Sequence, residues 1–216
     1  MKVLFLLAHP DDEAYGPYGT IVKLSREGHD VHVYSICNGN RPNAYDVSRV
    51  RTDTFIKNCE AAGAKWKMWN NNDLTLDIKE MSEFVTKLID MEKFNAVYTH
   101  NISDMNRDHR ILAEAALVAC RPKPSSTVDE LYFFEVPSST DWTFSQVQPV
   151  FEPNTYIEIA ADIVTLKETA LRKYVTETYE FPDARSVESM LTLLKYRGYQ
   201  VGYRNAEALK LVFKRG

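Results

Sequence analysis

The sequence predicts an α/β fold: a mostly parallel sheet with helices on both faces, followed by a less regular C-terminal part. Three observations predict it. Short apolar runs recur at 3–7, 31–36 and 96–99, each bounded by polar or turn-forming residues. Segments of helical length and period separate these runs. No internal repeat and no glycine- or proline-rich linker divides the 216 residues, so 1–216 reads as one domain. Strand and helix in alternation argue for parallel strands joined by right-handed crossovers, a Rossmann-like arrangement.

Residues 2–8 read as a central strand buried on both faces. Residues 14–28 read as a helix that stops at Gly28, a natural residue for the left-handed position after a helix. Residues 31–36 alternate as a second strand, and Asn38-Gly39-Asn40-Arg41-Pro42-Asn43 is a turn-rich loop at its carboxyl end. A helix over 47–62 ends at Gly63, and 65–69 forms a short strand. Asp77, with Glu80 three residues on, is a capping-box pattern. The helix it opens places Ile78, Met81, Val85, Leu88 and Ile89 on one face. Residues 96–99 form the next buried strand and 109–120 an alanine-rich helix. Beyond them, 130–136 and 156–159 read as strands, 160–176 and 186–198 as helices, and 209–213 as a closing strand.

Hydrophobic residues make up 44% of the chain and charged residues 26%, an ordinary soluble globular composition. With 26 Lys plus Arg against 30 Asp plus Glu, the formal charge is -4. There is no basic excess for nucleic acid and no polybasic run for a membrane surface. The opening apolar run is too short for a signal peptide, and nothing reaches transmembrane length. Cys37, Cys59 and Cys120 are odd in number and widely spaced, which points to free thiols and a cytoplasmic setting.

The stretch Ala8-His9-Pro10-Asp11-Asp12-Glu13 follows directly on the first strand. In open α/β sheets ligands bind outside the carboxyl ends of strands, so these side chains sit where chemistry is done. One imidazole and two adjacent carboxylates suggest a metal-centred hydrolase. A catalytic zinc site needs three protein ligands and one open position. His9 and Asp12 can turn toward one ion, and His109, beyond the strand at 96–99, is placed to complete the set. Asp11 then suits a general base acting on a water at the ion. Asp108 suits a partner that orients a ligand imidazole, an N-cap for a helix starting at His109, or both at once. Two imidazoles and a carboxylate suit Zn2+ and also Fe2+. An isolated His-x-Asp-Asp is usually a cap or a solvated turn; the strand before it and the second His/Asp-rich loop set this one apart. The G-x-G-x-x-G fingerprint of a nucleotide site is absent, and Gly16 and Gly19 alone do not replace it.

Taken together, Ala8-His9-Pro10-Asp11-Asp12-Glu13 and Asp104-x-Asn106-x-Asp108-His109-Arg110 resemble the PIG-L/LmbE family of zinc-dependent N-deacetylases, over most of the chain. The segment Phe134-Glu135-Val136-Pro137-Ser138-Ser139-Thr140-Asp141-Trp142 is similar to one in bacterial members tied to surface-polysaccharide genes. The resemblance implies zinc on His9, Asp12 and His109, with Asp11 as general base. It implies removal of an N-acyl group, usually acetyl, from a glucosamine-type amine, so the expected partner is a small N-acyl amino sugar or its conjugate. Relatives are often oligomeric, which makes a homo-oligomer an expectation. Arg51 and Asp73 match family positions and are candidate substrate contacts, as are Asn40 and Arg41 in the loop after the second strand. Glu135 and Arg185 either reach the pocket or form a structural ion pair.

The chain departs from the family pattern in two places. Many relatives carry a second His where Asn106 stands. An amide can donate to an oxyanion but cannot supply a proton, which leaves His100 as the candidate proton donor. Asp183 stands where close relatives often have His. Two further readings stay open: a catalytically weak or silent relative that holds a glycan or a partner, and an amide hydrolase with a non-sugar substrate.

Overall fold

The first apolar run becomes the middle of a sheet. The computed structural model describes residues 1–40, 45–143 and 149–215, with the side chains of Tyr45 and Asp46 left aside. Strand β1 (Lys2–Leu7) pairs in parallel with β2 (Asp30–Cys37) on one side and β4 (Ala96–His100) on the other. β3 (Lys65–Asn71) extends the sheet beyond β2, and β5 (Glu130–Phe134) extends it beyond β4, both in parallel. β7 (Ala206–Lys214) then runs antiparallel to β5, and β6 (Thr155–Glu158) antiparallel to β7. The full order is β3-β2-β1-β4-β5-β7-β6.

Successive side chains of a strand face opposite sides, so β1 feeds two cores. Val3, Phe5 and Leu7 pack with Tyr15 of α1 (Asp12–Tyr15), Ile21 of α2 (Tyr18–Arg26), Phe55 of α3 (Tyr45–Ala61) and Leu171 of α6 (Ala161–Lys173). Leu4, Leu6 and Ala8 pack with Val85 of α4 (Ile78–Glu92) and Leu112 of α5 (Arg107–Ala119). Asp77 caps α4 as expected, accepting from Lys79 N at 2.9 Å and Glu80 N at 3.1 Å. Met81, Val85, Leu88 and Ile89 form its buried stripe. The final helix, α7 (Val187–Tyr199), starts at Ser186, whose side chain accepts from Ser189 N.

Three sequence expectations are corrected. The helix over 14–28 is two helices, because Pro17 has no N–H to donate and its ring excludes the preceding helical carbonyl. α5 begins at Arg107 with Asn106 as its N-cap, so the cap is not Asp108. The closing strand spans nine residues, since Ala206, Glu207 and Ala208 belong to it although they form no apolar run. Glu207 is buried there and accepts from Gly19 N at 2.8 Å and Thr20 N at 2.7 Å, at the start of α2. Lys167 of α6 neutralises it at 2.7 Å. One buried ion pair thus ties the C-terminal strand to the first helices.

The direction of chain travel reverses beside β1. From β1 the chain steps outward to β2 and β3, whereas from β4 it steps the opposite way to β5. The connections leaving β1 and β4 therefore diverge and open a crevice at their carboxyl ends. Among the described residues, no helix is long and apolar enough to cross a membrane. Cys37, Cys59 and Cys120 are buried free thiols.

Candidate active site and metal centre

His9, Asp12 and His109 converge in this crevice, with one donor atom from each lying within 4.8 Å of the others. His9 Nδ1 stands 3.3 Å from His109 Nε2. His109 Nε2 is 3.3 Å from Asp12 Oδ1, and His9 Nδ1 is 3.5 Å from Asp12 Oδ2. The local turn explains the pairing of His9 with Asp12. Asp12 Oδ2 accepts from His9 N at 2.7 Å, which folds the carboxylate back over the Pro10 turn.

Each imidazole is braced at its remote nitrogen. His9 Nε2 pairs with Asp108 Oδ2 at 3.0 Å, and His109 Nδ1 with Asp104 Oδ1 at 3.2 Å. Ser139 and Thr140 donate to Asp104 at 3.0 Å and 2.7 Å. A carboxylate on the far nitrogen sets ring orientation and raises the basicity of the near nitrogen, as in carboxylate–histidine–metal sites.

The electrostatics agree. Burial alone lowers the proton affinity of an imidazole, but Asp108 and Asp12 overrule it and raise His9 to about 9. Asp12 and Asp104 likewise overrule burial and raise His109 to about 10. Burial pushes the Asp12 carboxyl up, yet His109 and His100 hold it well below the usual carboxylate range. This is a pocket of negative potential that calls for positive charge. Two imidazole nitrogens and one carboxylate, with a cavity on the remaining side, fit an open zinc or ferrous site. His9, Cys37 and Asp73 form a second compact group. It fits a cation less well, because burial pushes the Cys37 thiol up and Arg51 already holds Asp73 at 2.8 Å.

Asp11 occupies a strained position, with φ 143°. Glu13 Oε2 accepts from its N–H at 3.1 Å. Its carboxylate is clamped from two sides, by Arg51 at 3.3 Å and Arg185 at 2.7 Å. Burial raises the Asp11 carboxyl, but Arg51 and then Arg185 outweigh it and hold it below its ordinary value. Arg185 also lies over the Tyr15 ring, 3.9 Å from the centroid. Glu13 is buried beneath, pushed by that burial to about 7, and receives Tyr174 Oη at 2.6 Å.

A cavity of about 380 Å³ opens on these groups. Its lining includes the triad, Asp11, Arg51, Asp73, Asn106 and Arg185, with Leu74, Val136, Ser138 and Ser139. Asp11, Leu74 and Ser138 are three of the described non-glycine residues with positive φ, and all three stand on this cavity.

The remaining expected residues divide clearly. Arg51 is 1% exposed, and its guanidinium is committed to Pro10 O, Gly39 O, Asp73 and Asp11. Gly39 has φ 73°, and a Cβ there would stand 3.2 Å from Arg51 Nη1, so this close approach requires glycine. Asn106 Oδ1 accepts from Asp108 N at 2.9 Å, which leaves its amide nitrogen for a ligand. Asp108 braces His9 and also receives Leu74 N. Asn40 is outside the cavity lining and ties two loops together by donating to Asn72 at 2.9 Å. Arg41 lies outside the described residues. His100 is fully buried and outside the lining. Its Nε2 accepts from Ala8 N at 2.9 Å, and its ring stacks on His109 at 3.8 Å. Burial, with the His109 charge beside it, pushes His100 down to about 4. Asp183 accepts from Arg185 N at 2.8 Å in the turn before α7.

Sequence reasoning gave no role to Asp104 or Ser139 and left Arg185 undecided. Asp104 had a readable signal, since a ligand His requires a partner on its far nitrogen and Asp104 stands in the same loop. Arg185 meets Asp11 across 174 residues, and no local spacing announces such a contact.

Residues 4–120 match the family model for PIG-L, GlcNAc-PI de-N-acetylase. The chain is 23% identical over 180 residues to the uncharacterised deacetylase YaiS of Escherichia coli, covering 80% of this chain and 89% of that protein. It superposes on the inhibitor complex of N,N'-diacetylchitobiose deacetylase from Pyrococcus horikoshii with a TM-score of 0.78 at 21% identity, covering 98% and 83% of the two chains. The 4-carboxy-2-hydroxymuconate hydratase GalB of Pseudomonas putida superposes with a TM-score of 0.76 at 20% identity, covering 100% and 98%. At such identities the superpositions establish a shared fold.

Proposed function

The chain belongs to the PIG-L, GlcNAc-PI de-N-acetylase family, and from that premise we propose that it is a metal-dependent hydrolase removing an N-acyl group, acetyl first of all, from an amino sugar. One observation carries the reading. Two imidazoles from different connections, each braced by a carboxylate, aim their free nitrogens past Asp12 toward one cavity. The sugar substrate is supported by relatives and neighbours named as deacetylases, among them one of diacetylchitobiose.

In this reading His9, Asp12 and His109 hold a divalent cation, Zn2+ or Fe2+. When bound, the cation supplies Lewis-acid polarisation of the amide carbonyl and lowers the pKa of a nearby water. Asp11 takes a proton from the attacking water, and Arg51 and Arg185 keep its carboxylate ionised and aimed for that task. The water oxygen joins the acyl carbon, and the C–N bond then breaks. Asn106, through its amide nitrogen, donates to the oxygen that gains charge. The proton on Asp11 passes to the leaving amine, so the products are a carboxylic acid and a free amine. His100 does not fit the part of proton donor, because it is buried outside the cavity lining, its Nε2 accepts from Ala8 N, and its proton affinity is depressed. It fits a positioning role behind Asp12, 3.3 Å from Oδ2.

The test is metal analysis with an acetate-release assay on N-acetyl amino sugars. One metal per chain, loss of activity on chelation and recovery with zinc are the expected results. Asp11→Asn is expected to keep its metal and lose about a thousandfold in kcat, within the range for a general acid–base. Undiminished turnover in the metal-loaded variant removes Asp11 from its role. A chain that binds metal and sugar but releases no acetate is a silent binder.

A further inference from the structure

Asp11 is tied down at both ends. Arg51 and Arg185 hold its carboxylate, at 3.3 Å and 2.7 Å. Its main chain has separate anchors. The carbonyl accepts from Ala14 N at 3.0 Å and Tyr15 N at 3.1 Å, which starts α1. The N–H donates to Glu13 Oε2 at 3.1 Å.

That last bond meets a particular need. Asp11 is the N-cap residue of α1, with φ 143° and ψ -24°, a backbone position that strains any residue but glycine. Its side chain makes no cap bond, since the two guanidiniums engage it. The bond to Glu13 is buried, so losing its acceptor leaves an unsatisfied donor, a cost of the same order as the strain itself. A carboxylate that reaches back to the N-cap N–H is a variant of the capping box.

What stands behind Glu13 goes beyond a cap. Glu13 is fully buried. Its other oxygen, Oε1, accepts from Tyr174 Oη at 2.6 Å and from Asn58 Nδ2 at 3.1 Å. Asn58 belongs to α3, and Tyr174 closes α6. Asn58 is held in turn, its Oδ1 accepting from Lys173 Nζ at 3.2 Å and its Nδ2 donating to Ala170 O at 3.4 Å. A cap needs only an oxygen facing its own helix, whereas this carboxylate is also fixed to partners 45 and 161 residues away. α1 has four residues, too few to set such a position by itself. The main chain at Asp11 is thereby referenced to α3 and α6.

We propose that Glu13 is a positioning residue: through the Asp11 N–H it holds the strained main chain that aims the Asp11 carboxylate at the attacking water. The proposal rests on the amide-hydrolase reading, which makes Asp11 the base. Glu13 stands outside both the cavity lining and the triad, so its effect falls on kcat and not on substrate or metal binding.

Acetate release, bound metal and crystal structures are compared for wild type, Glu13→Ala, Glu13→Gln and Val85→Ala. Val85 is a buried α4 residue of the other core, so it reports a general loss of stability. Glu13→Ala is expected to keep its metal, to keep KM within about twofold and to lose about a hundredfold in kcat, the effect of misplacing a reacting group by about 1 Å. Val85→Ala is expected to keep wild-type kcat. In the Asp11→Asn background Glu13→Ala is expected to cost less than about threefold, because Glu13 acts through Asp11. Wild-type kcat in Glu13→Ala, loss of metal in step with kcat, an equal loss in Val85→Ala, or an undiminished effect in the Asp11→Asn background overturns the proposal. Where Glu13→Ala fails to fold, Glu13→Gln carries the same cycle, since one acceptor oxygen then serves three donors. About tenfold in kcat, absent from the Asp11→Asn background, is expected of it, and wild-type kcat or an equal loss in both backgrounds overturns the proposal. If wild type releases no acetate from any N-acetyl sugar, the catalytic reading falls, and the crystal structures decide the anchoring of Asp11 alone. An Asp11 that leaves the positive-φ region in Glu13→Ala supports the anchor, and an Asp11 superposable on wild type overturns it.

Discussion

The proposed metal ligands and the wall of their cavity come from two parts of the chain built on different principles. His9, Asp12 and His109 arrive on connections that leave β1 and β4, adjacent parallel strands of the central sheet. Arg185 and Ser139 come from turns beyond β5, where the sheet turns antiparallel. The first part places its groups by topology, since the connections leaving those strand ends flank the crevice. The second places its groups by long-range charge pairs, of which Arg185 with Asp11 and Lys167 with Glu207 are the clearest. The proposed donors and most of the wall around them thus come from separate stretches of chain, joined where Arg185 holds Asp11 and Ser139 holds Asp104.

Four experiments break or sharpen that division. The largest effect is expected at Arg51, which belongs to the first part and also reaches Glu177 of the second. Arg51→Met takes one buried cation from Asp11, Asp73 and Glu177, of which Asp11 and Glu177 keep Arg185, and about 3–5 kcal/mol of stability is expected to be lost in urea unfolding. A variant of near wild-type stability would make Arg51 a ligand-facing residue after all.

Lys167→Met probes the anchor of the second part. Glu207 keeps its bonds to Gly19 N and Thr20 N, so the loss is expected near the lower end of that range, about 3 kcal/mol. Metal content is expected to be unchanged; metal lost along with stability would erase the proposed division.

Asn106→Ser separates two duties of one side chain. Serine keeps an N-cap, so stability is expected to shift by less than about 0.5 kcal/mol. It removes the amide donor, so kcat is expected to fall about a hundredfold. Equal kcat in the two proteins would confine Asn106 to capping.

The smallest effect lies far from the crevice, at Glu92. Hydrogen bonds from Lys2 and Lys67 hold its carboxyl at about 2, below the ordinary 4.5. A depressed folded value means its contribution is complete above the unfolded value and disappears as pH falls through the folded one. The stability gap between wild type and Glu92→Gln, under about 1 kcal/mol for such a solvent-accessible cluster, is expected to close between about pH 5 and pH 2. A gap that stays constant over that window would show that another group governs it.

Much of the first part was legible in the sequence because its signals are local. An apolar run ending in His-x-x-Asp states both the strand and the position of its donors. The Asp77 cap and the α4 stripe depend only on neighbours within a few turns. The break at Pro17 was equally local, and the apolar period on either side of it concealed it. Asn106 took the cap from Asp108 because Asp108 is drawn inward by His9, a contact between different connections. Arg51 has the look of an anion reader in sequence, and only the fold shows that protein acceptors already surround it. His100 follows the same rule in reverse: a strand-end imidazole near the ligands turns back to receive the Ala8 amide.

The three proposed donors are all present by residue 109, whereas the cavity wall beyond β5 begins at residue 136. A chain laid out in this sequence can vary its tail and keep the three proposed donors, provided that Arg185 stays on Asp11. Drift downstream of α5 that spares Arg185 would then change which molecules fit, while changes upstream at His9, Asp12 or His109 would dismantle the proposed metal site.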